Sequence, residues 1–322
     1  MLLLRYLQAL GKALGDELAR DPAVCVFGED VGESLRGVTK GLREKFGPSR
    51  VVDMPLSEQA FTSFATGAAL RGRRPVVEFQ IPSLLYMAFE QIVNQAQKFS
   101  LMTGGQARVP VTYLIPGSGA RRGLAGQHSD HPYAFFAHAG VKTIVPATAS
   151  DAYGLLVTAI RDDDPVALFA PAAVLGLREE IPDQRHAIPL GEARIHRTGS
   201  DVTLVATGHL VHDALAVADE LDSDVSVEVF DPRTINPFDW ERLASSLRKT
   251  GRLVVADDTN RTCGVAAEIA ATACERMKLV APPVRITRAD ATIPFAVELE
   301  EELIPSRSQI AAAVSTVMKE SS

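Results

Sequence analysis

Short runs of β-branched and aromatic residues alternate with helix-patterned stretches along most of the chain, and this alternation constrains its fold more than any other feature. In the first half, the candidate strands are Val24–Phe27, Val76–Phe79, Val109–Ile115, Thr143–Val145 and Val166–Phe169, and the candidate helices are Ala60–Leu70, Tyr86–Phe99 and Ser150–Arg161. Strands that alternate with helices in this way predict an α/β fold with a mostly parallel sheet and helices on both faces.

The alternation lapses near the middle of the chain and then restarts, which predicts two domains. Residues from about Pro171 to Gly199 are polar and interrupted by proline and glycine. The elements predicted after this stretch are strands Val202–Thr207, Val225–Phe230, Leu253–Ala256 and Val284–Thr287 and helices Val211–Leu221, Trp240–Leu247, Val265–Arg276 and Gln309–Lys319. A chain of 322 residues can bury two separate cores. We therefore predict an α/β domain over residues 1–185, a linker over 186–200 and a second α/β domain over 201–322.

Composition and charge exclude several classes of protein. Apolar residues make up 46% of the chain and charged residues 23%, which is typical of a globular protein and not of a disordered one. The net charge of −7, without a basic cluster interleaved with aromatic residues, argues against a nucleic-acid partner. No stretch approaches the roughly 20 apolar residues that a membrane span needs.

The N-terminus and the cysteines both indicate a cytoplasmic protein. The apolar run Met1–Leu7 is too short for a signal peptide, and leucines at positions 7, 10, 14 and 18 predict an amphipathic helix instead. The three cysteines, Cys25, Cys263 and Cys274, are widely separated and show no metal-ligand spacing. We expect buried, reduced thiols and no zinc site.

Three polar stretches follow predicted strands, where an α/β sheet collects its ligand-binding groups. They are Gly28–Gly32, Leu56–Gln59 and Gly126–Ser129, which contribute Glu29, Glu58 and His128. Two carboxyl groups and an imidazole at one edge indicate proton-transfer chemistry. The alternative is that they are ordinary polar strand ends. Glu58 in particular would be favoured in the first turn of a helix by the helix dipole, with Ser57 as N-cap.

Two further stretches leave alternatives open. The segment Gly117–Gly123 follows a predicted strand, but its Gly-x-Gly-x-x-x-Gly spacing is a weak match to a dinucleotide-binding motif. A non-catalytic nucleotide-binding or assembly module therefore remains a possible function. The charge run Arg161–Pro165 is either a solvated helix end or a cation site built from carbonyl oxygens and one carboxylate.

An ordered set of longer motifs resembles the β subunit of the thiamine-diphosphate-dependent 2-oxo acid dehydrogenases. The matching stretches are Gly28–Gly32, Pro55–Glu58, Arg74–Gln80, Gln91–Asn94, Gly104–Gly105, Gln127–Ser129, Phe136–His138, Ala159–Asp162, Asp231–Thr234 and Lys249–Val255. The resemblance implies a pyrimidine-binding, doubly wound parallel sheet followed by a domain like the transketolase C-terminal domain. It implies decarboxylation of a 2-oxo acid with acyl transfer to lipoamide, and the family includes the components that act on pyruvate, on branched-chain 2-oxo acids and on acetoin.

The resemblance also assigns the site residues. The residue matching Glu58 hydrogen-bonds a ring nitrogen of the cofactor's aminopyrimidine and so favours its reactive tautomer, while Glu29 matches a second acid near the pyrimidine. His128 matches a histidine that faces the reacting centre and assists acyl transfer. Gln80 and Leu84 fall in the cofactor-binding stretch.

The resemblance further implies partners and ions. The chain has no Gly-Asp-Gly followed by a distant Asn-Asn, the pattern that holds the diphosphate through magnesium in thiamine enzymes. An α subunit would therefore bind the diphosphate and magnesium in a heterotetramer of two α and two β chains, and a lipoyl acyltransferase core would receive the acyl group. Several relatives bind potassium, mainly through backbone carbonyls, at the positions matching Val111, Ala159, Ile160, Asp162 and Asp164.

Some positions depart from the family pattern. Leu84 stands where relatives have Phe or Tyr against the pyrimidine, so aromatic stacking is lost. Asp130 and His131 replace the usual glutamine and serine, and Arg121 and Arg122 lie in a lengthened loop; we hypothesise that these charges adjust substrate choice. Two alternatives stay open: the C-terminal half of a split transketolase or deoxyxylulose-phosphate synthase, and a degenerate β subunit that only scaffolds a complex.

Overall fold

The computed structural model describes residues 1–120, 123–184 and 186–319. The chain divides into two compact units. The first comprises Met1–Arg121 with Gln127–Leu190, and the second comprises Arg122–Gly126 with Gly191–Ser322. The chain thus enters the second unit briefly, just before residue 127, and then returns to the first.

The first unit contains a parallel sheet. Its strands are β2 (Val24–Gly28), β3 (Val51–Asp53), β4 (Arg74–Glu78), β5 (Thr112–Ser118), β6 (Lys142–Ile144) and β7 (Val166–Pro171), which lie in the order β6-β7-β5-β4-β2-β3. Every neighbouring pair among these six is parallel. Two further strands, β1 (Leu2–Arg5) and β8 (Arg178–Ile181), pair antiparallel with each other.

Helices complete the first unit. They are α1 (Tyr6–Arg20), α2 (Leu42–Phe46), α3 (Glu58–Leu70), α4 (Phe99–Met102), α5 (Ala125–His128, shared with the second unit), α6 (Tyr133–His138) and α7 (Ala149–Arg161), with 3-10 turns at Pro82–Tyr86 and Ala172–Val174 and a π-helix at Gln91–Gln97. Helix α1 packs on α7 and buries Leu10, Leu14 and Leu18, three of the four leucines that predicted its amphipathic face. These leucines join the core with apolar residues of β2, β4 and β7.

The second unit has its own sheet. The strands of this sheet are β9 (Arg194–Arg197), β10 (Val202–Ala206), β11 (Val227–Asp231), β13 (Leu253–Asn260) and β14 (Val284–Arg288), and the short strand β12 (Thr234–Asn236) does not belong to it. The helices of the unit are α8 (Leu210–Glu220), α9 (Trp240–Thr250), α10 (Val265–Arg276), α11 (Val297–Leu303) and α12 (Arg307–Lys319). Five strands lie in the order β14-β13-β10-β11-β9, and β9 is the antiparallel edge strand. The predicted two-domain α/β class is confirmed.

Two predicted segments differ from the structure. Part of the predicted linker 186–200 is strand β9, because a short edge strand such as Arg194–Arg197 carries no β-branched run that would signal it. The predicted helix Tyr86–Phe99 is divided among a 3-10 turn, a π-helix and α4. The apolar pattern that predicted it does not distinguish the i→i+4 hydrogen bonds of an α-helix from the i→i+5 bonds of a π-helix.

The prediction that all three thiols are buried is wrong for two of them. Cys25 is buried in β2, and burial raises its pKa to about 11, which keeps the thiol protonated. Cys263 and Cys274 are exposed, one in the turn after β13 and one on the outer side of α10. Separately, none of the helices formed by the described residues combines the length and the apolar character needed to cross a bilayer.

Gly28, at the carboxyl end of β2, allows a close approach of β2 to β4. A Cβ atom at this position would lie 2.6 Å from the carbonyl oxygen of Glu78. Because that oxygen is backbone, the two strands would have to separate. We expect Gly28→Ala to lower the free energy of unfolding by about 1–3 kcal/mol, measured by urea denaturation followed by circular dichroism.

Gly67 provides the matched control, since it lies exposed within α3 and a Cβ there would meet nothing within 4 Å. Gly67→Ala should raise stability by about 0.5–1 kcal/mol, the usual preference for alanine in a helix interior. Equal stability of the two variants would contradict the close strand approach.

Candidate active site

The predicted site residues follow the carboxyl ends of four adjacent strands. Glu29 comes directly after β2, Glu58 follows β3, Gln80 follows β4 and His128 follows β5. These strands are neighbours in the order β5-β4-β2-β3 and run parallel, so their carboxyl ends share one edge of the sheet. The structure therefore brings the segments that carry these side chains to the same edge, where α/β sheets place their ligands.

Glu58 is a buried carboxyl group at the start of a helix. It is the first residue of α3, and it is only 5% exposed. Ser57 occupies the N-cap position as predicted, but its side chain makes no capping hydrogen bond. The first turn of a helix favours a negative charge through the helix dipole. This placement explains how a carboxylate can stay buried at Glu58.

Glu29 lies close enough to Glu58 for the two charges to interact. Burial raises the pKa of Glu29 above its ordinary value, and the negative charges of Asp30 and Glu58 raise it further. A neighbouring negative charge disfavours ionisation, so a carboxyl group in this position binds its proton more tightly than an isolated one. Glu29 is therefore a group that can hold a proton and donate it in a hydrogen bond nearer to neutral pH than an ordinary glutamate.

Gln80 joins this edge to a deeper carboxyl group. Its side-chain nitrogen donates to the carbonyl oxygen of Glu29 at 2.8 Å and to Oε1 of Glu78 at 3.3 Å. The side-chain oxygen of Gln80 is buried and accepts no hydrogen bond from the described residues. Since a buried acceptor without a partner is costly, this oxygen is available to a ligand that carries an N–H or O–H donor.

Glu78 is a buried acid that the sequence analysis did not single out. It is 1% exposed, and burial raises its pKa to about 7, although the nearby charge of Arg36 lowers it. Its Oε2 also has no hydrogen-bond partner among the described residues. The signal that could have found it is a glutamate inside an otherwise apolar strand, Arg74–Glu78. Such a residue is rarely buried without a reason.

His128 and Leu84 belong to two segments that are hydrogen-bonded to each other. Leu84 lies in the 3-10 turn Pro82–Tyr86, and His128 ends α5. The hydroxyl of Ser83 donates to the carbonyl oxygen of Gln127 at 2.8 Å. Ser83 precedes Leu84 and Gln127 precedes His128, so this bond connects the two segments that carry the apolar side chain and the imidazole. His128 itself is half-buried.

The residues that depart from the family pattern have separate environments. His131 is 4% exposed, and its ring packs edge-on against Tyr133 at 4.5 Å and near Phe169. This placement favours a packing role for His131 over contact with substrate. Asp130 is half-buried beside the His128 turn. Arg121 and Arg122, whose charges we expected to influence substrate choice, lie outside the described residues.

The glycine-rich segment does not build a dinucleotide site in the described part of the chain. Gly117, near the end of β5, and Gly119, just after it, have φ values of 85° and 88°, which glycine adopts readily. The helix that follows, α5, is four residues long and contains Gly126 with non-helical angles of φ 20° and ψ −104°. A phosphate-binding loop needs a regular helix whose first N–H groups point to the phosphate. The nucleotide-binding alternative therefore has no structural support.

The candidate cation site lies where α7 ends. Lys142 Nζ lies 2.7 Å and 2.9 Å from the two carboxylate oxygens of Asp162 and 3.1 Å from a carboxylate oxygen of Asp164, and Arg108 binds Asp164 at 2.9 Å.

The carbonyl oxygens near the end of α7 have other partners. Those of Ile160 and Asp162 each accept from the Arg74 guanidinium at 3.2 Å. Those of Val111 and Ala159 each accept from a backbone N–H, and no hydrogen bond to the carbonyl of Asp164 is described. The carboxylates are thus occupied, and carbonyl oxygens, each with two lone pairs, are the groups that could bind an ion.

Comparison with known proteins identifies both halves of the chain. Residues 4–176 match the model of the transketolase pyrimidine-binding domain, and residues 191–310 match that of the transketolase C-terminal domain. A solved structure described as an inactive β4 tetramer of a split-gene transketolase has the same fold, with a TM-score of 0.80, 23% identity and 99% of each chain covered.

Relatives of higher identity are β subunits of a dehydrogenase and of an oxidoreductase. The chain is 40% identical over 316 residues to the pyruvate dehydrogenase E1 component subunit beta of Rickettsia felis, covering 96% of this chain and 97% of the relative. It is 39% identical over 334 residues to the acetoin:2,6-dichlorophenolindophenol oxidoreductase subunit beta of Cupriavidus necator, covering 97% and 96%. The chain therefore belongs to the family of β subunits of the thiamine-diphosphate-dependent 2-oxo acid dehydrogenases, which includes the pyruvate and acetoin enzymes.

Proposed function

We propose that this chain, with an α subunit, catalyses the oxidative decarboxylation of a 2-oxo acid and the transfer of the acyl unit to lipoamide. The observation that carries the proposal is the buried carboxyl group of Glu58 at the sheet edge it shares with Glu29 and Gln80. The identity of about 40% to β subunits of the pyruvate and acetoin enzymes supports this chemistry over sugar-phosphate transfer.

The residues of this edge fit the aminopyrimidine of thiamine diphosphate. That ring displays N–H donors and nitrogen acceptors. The edge offers the carboxyl of Glu58, the carboxyl of Glu29, whose pKa is raised by burial, and the side-chain oxygen of Gln80, which has no hydrogen-bond partner among the described residues. Leu84 offers apolar surface in place of the aromatic ring of relatives. When bound, the cofactor supplies the electron sink for decarboxylation.

The side chains of this chain then bind, orient and exchange protons. Glu58 holds a proton at a ring nitrogen, and its burial strengthens that hydrogen bond because the surrounding dielectric is low. In this proposal, the imidazole of His128 exchanges a proton at the acyl group during its transfer. We assign magnesium and the diphosphate to the α subunit.

Replacing Glu58 by glutamine tests the central assignment. Glu58→Gln keeps the shape of the side chain but removes the acid, so we expect a complex of normal stability that loses about 100-fold or more in kcat. The measurement is decarboxylation of 2-oxo acids by the chain co-expressed with its α subunit. Glu33→Gln, at an exposed position, is the control and should retain full activity. Near-full activity of Glu58→Gln would disprove the assignment.

Exposed apolar side chains support the proposal of an α partner. Between residues 56 and 102, seven large apolar or aromatic side chains are exposed: Leu56, Phe64, Leu70, Tyr86, Met87, Leu101 and Met102. They lie on or next to α3, the 3-10 turn and α4, the same part of the chain that supplies Glu58 and Leu84. Apolar surface of this kind marks protein–protein interfaces. We place the α subunit against these elements and assign docking of the lipoyl acyltransferase core to the second unit.

Leu101 is the sharpest test of this interface because it is 84% exposed. Leu101→Glu should leave the fold of the isolated chain unchanged and weaken association with the α subunit by about tenfold or more, measured by analytical ultracentrifugation. Leu3→Glu, at an exposed leucine of β1, is the control. If both variants assemble like the unaltered chain, the interface lies elsewhere.

We also propose a potassium ion at the end of α7, held by the carbonyl oxygens of Val111, Ala159, Ile160, Asp162 and Asp164. The carbonyl groups at a helix C-terminus carry partial negative charge and favour a cation. A ligand that binds only the folded state stabilises it, so the unfolding midpoint should be higher in potassium chloride than in choline chloride at equal ionic strength. Identical midpoints across the concentration range would exclude the ion.

The alternatives have weaker support. The likeness to the split-gene transketolase, at 23% identity, concerns the fold alone. A scaffolding role does not account for the buried Glu58 or for the carboxyl groups gathered around it. Branched-chain specificity and a cytoplasmic location remain predictions of the sequence.

A further inference from the structure

The turn that carries His128 is held from both sides by the 3-10 turn that carries Leu84. Before His128, the Ser83 hydroxyl donates to the carbonyl oxygen of Gln127 at 2.8 Å. After it, the Tyr86 hydroxyl donates to Oδ2 of Asp130 at 2.7 Å. The two bonds therefore bracket His128 on one side and Leu84 on the other.

Both members of the second bond are themselves anchored. The Tyr86 ring packs edge-on against Phe135, with 5.8 Å between ring centroids. The other carboxylate oxygen of Asp130 accepts from the backbone N–H of His131 at 2.8 Å, and its carbonyl oxygen accepts from the N–H of Gly119 at 2.8 Å. An anchored tyrosine donating to an anchored carboxylate makes a charge-assisted bond of defined direction.

The backbone before His128 has little regular structure of its own. Ala125 has a φ of 54°, in the left-handed region, and Gly126 has non-helical angles. No ladder of helical hydrogen bonds fixes a segment with such angles. Its position depends on bonds from its surroundings, among them the backbone bond from the N–H of Gly126 to the carbonyl oxygen of Ile293 at 3.0 Å and the side-chain bonds at Gln127 and Asp130. Tyr86 and Asp130 provide one of these bonds two residues after the imidazole.

We propose that Tyr86 and Asp130 are a positioning pair that fixes the His128 turn relative to Leu84, and so sets where the imidazole lies in the site. The inference rests on the proposed function for the role of His128. It also gives a physical purpose to Asp130, one of the positions where this chain departs from its family. An imidazole that exchanges a proton must be placed within fractions of an ångström, because small displacements cost large factors in rate.

The first test measures how firmly the backbone of the His128 turn is held. In the complex with the α subunit, Tyr86→Phe keeps the ring and its contact with Phe135 but removes the hydroxyl. Amide hydrogen exchange in residues 127–131 should become about tenfold faster, the size expected for loss of a charge-assisted bond. Tyr153→Phe is the matched control. The hydroxyl of Tyr153, on α7, donates to Asp16, on α1, over the same distance of 2.7 Å, and the substitution removes that bond. Unchanged exchange in Tyr86→Phe, or an equal change in both variants, would overturn the proposal.

The second test separates positioning from general stability. Tyr86→Phe should lower kcat for the 2-oxo acid by about tenfold while KM and the thermal midpoint stay unchanged. Asp130→Ala should have a similar effect, and the double variant should be no worse than either single one. If the losses in kcat of the two single variants add up in the double variant, Tyr86 and Asp130 do not act as a pair. If the unaltered complex decarboxylates no 2-oxo acid, the proposed function fails, whereas the exchange experiment still decides whether the pair holds the turn.

Discussion

The parallel register of β3, β2, β4 and β5 is the constraint on which the site depends. Because these strands run in the same direction and are neighbours, the residues that follow them meet at one edge. The segments concerned are separated by up to about 100 residues in the chain, and no local interaction would bring them together. The close contact of Gly28 with the carbonyl oxygen of Glu78 shows how tightly β2 and β4 pair at this end.

The same register concentrates acidic groups in a poorly solvated region. Glu58, Glu29 and Glu78 lie at or below the edge, and Arg36 is the cation that interacts with Glu78. Burial raises the pKa of both Glu29 and Glu78, which means that the folded chain holds these carboxylates at a cost in free energy. A ligand that donates hydrogen bonds to them relieves part of that cost. The arrangement favours binding over the stability of the free chain, as is common at functional sites.

The imidazole side of the site is built differently. Glu58 is fixed by a helix and by burial, whereas His128 lies on a turn whose preceding backbone has left-handed and non-helical angles. In the proposed function, a rigid acid for the cofactor and a separately held imidazole for the acyl group would suit two successive steps with different geometries.

The sequence alone determined the two-domain α/β class, most strands and helices, and the positions of Glu29, Glu58 and His128 after strands, because these follow from hydrophobic period and from residues adjacent in the chain. It did not reveal the buried Glu78, the packing of His131 among aromatic rings, the edge strand Arg194–Arg197 or the exposure of Cys263 and Cys274. Nor did it indicate that Tyr86 reaches Asp130 across 44 positions. Burial and side-chain partners such as these are decided by which distant segments the sheet places side by side, and that information exists only once the chain has folded.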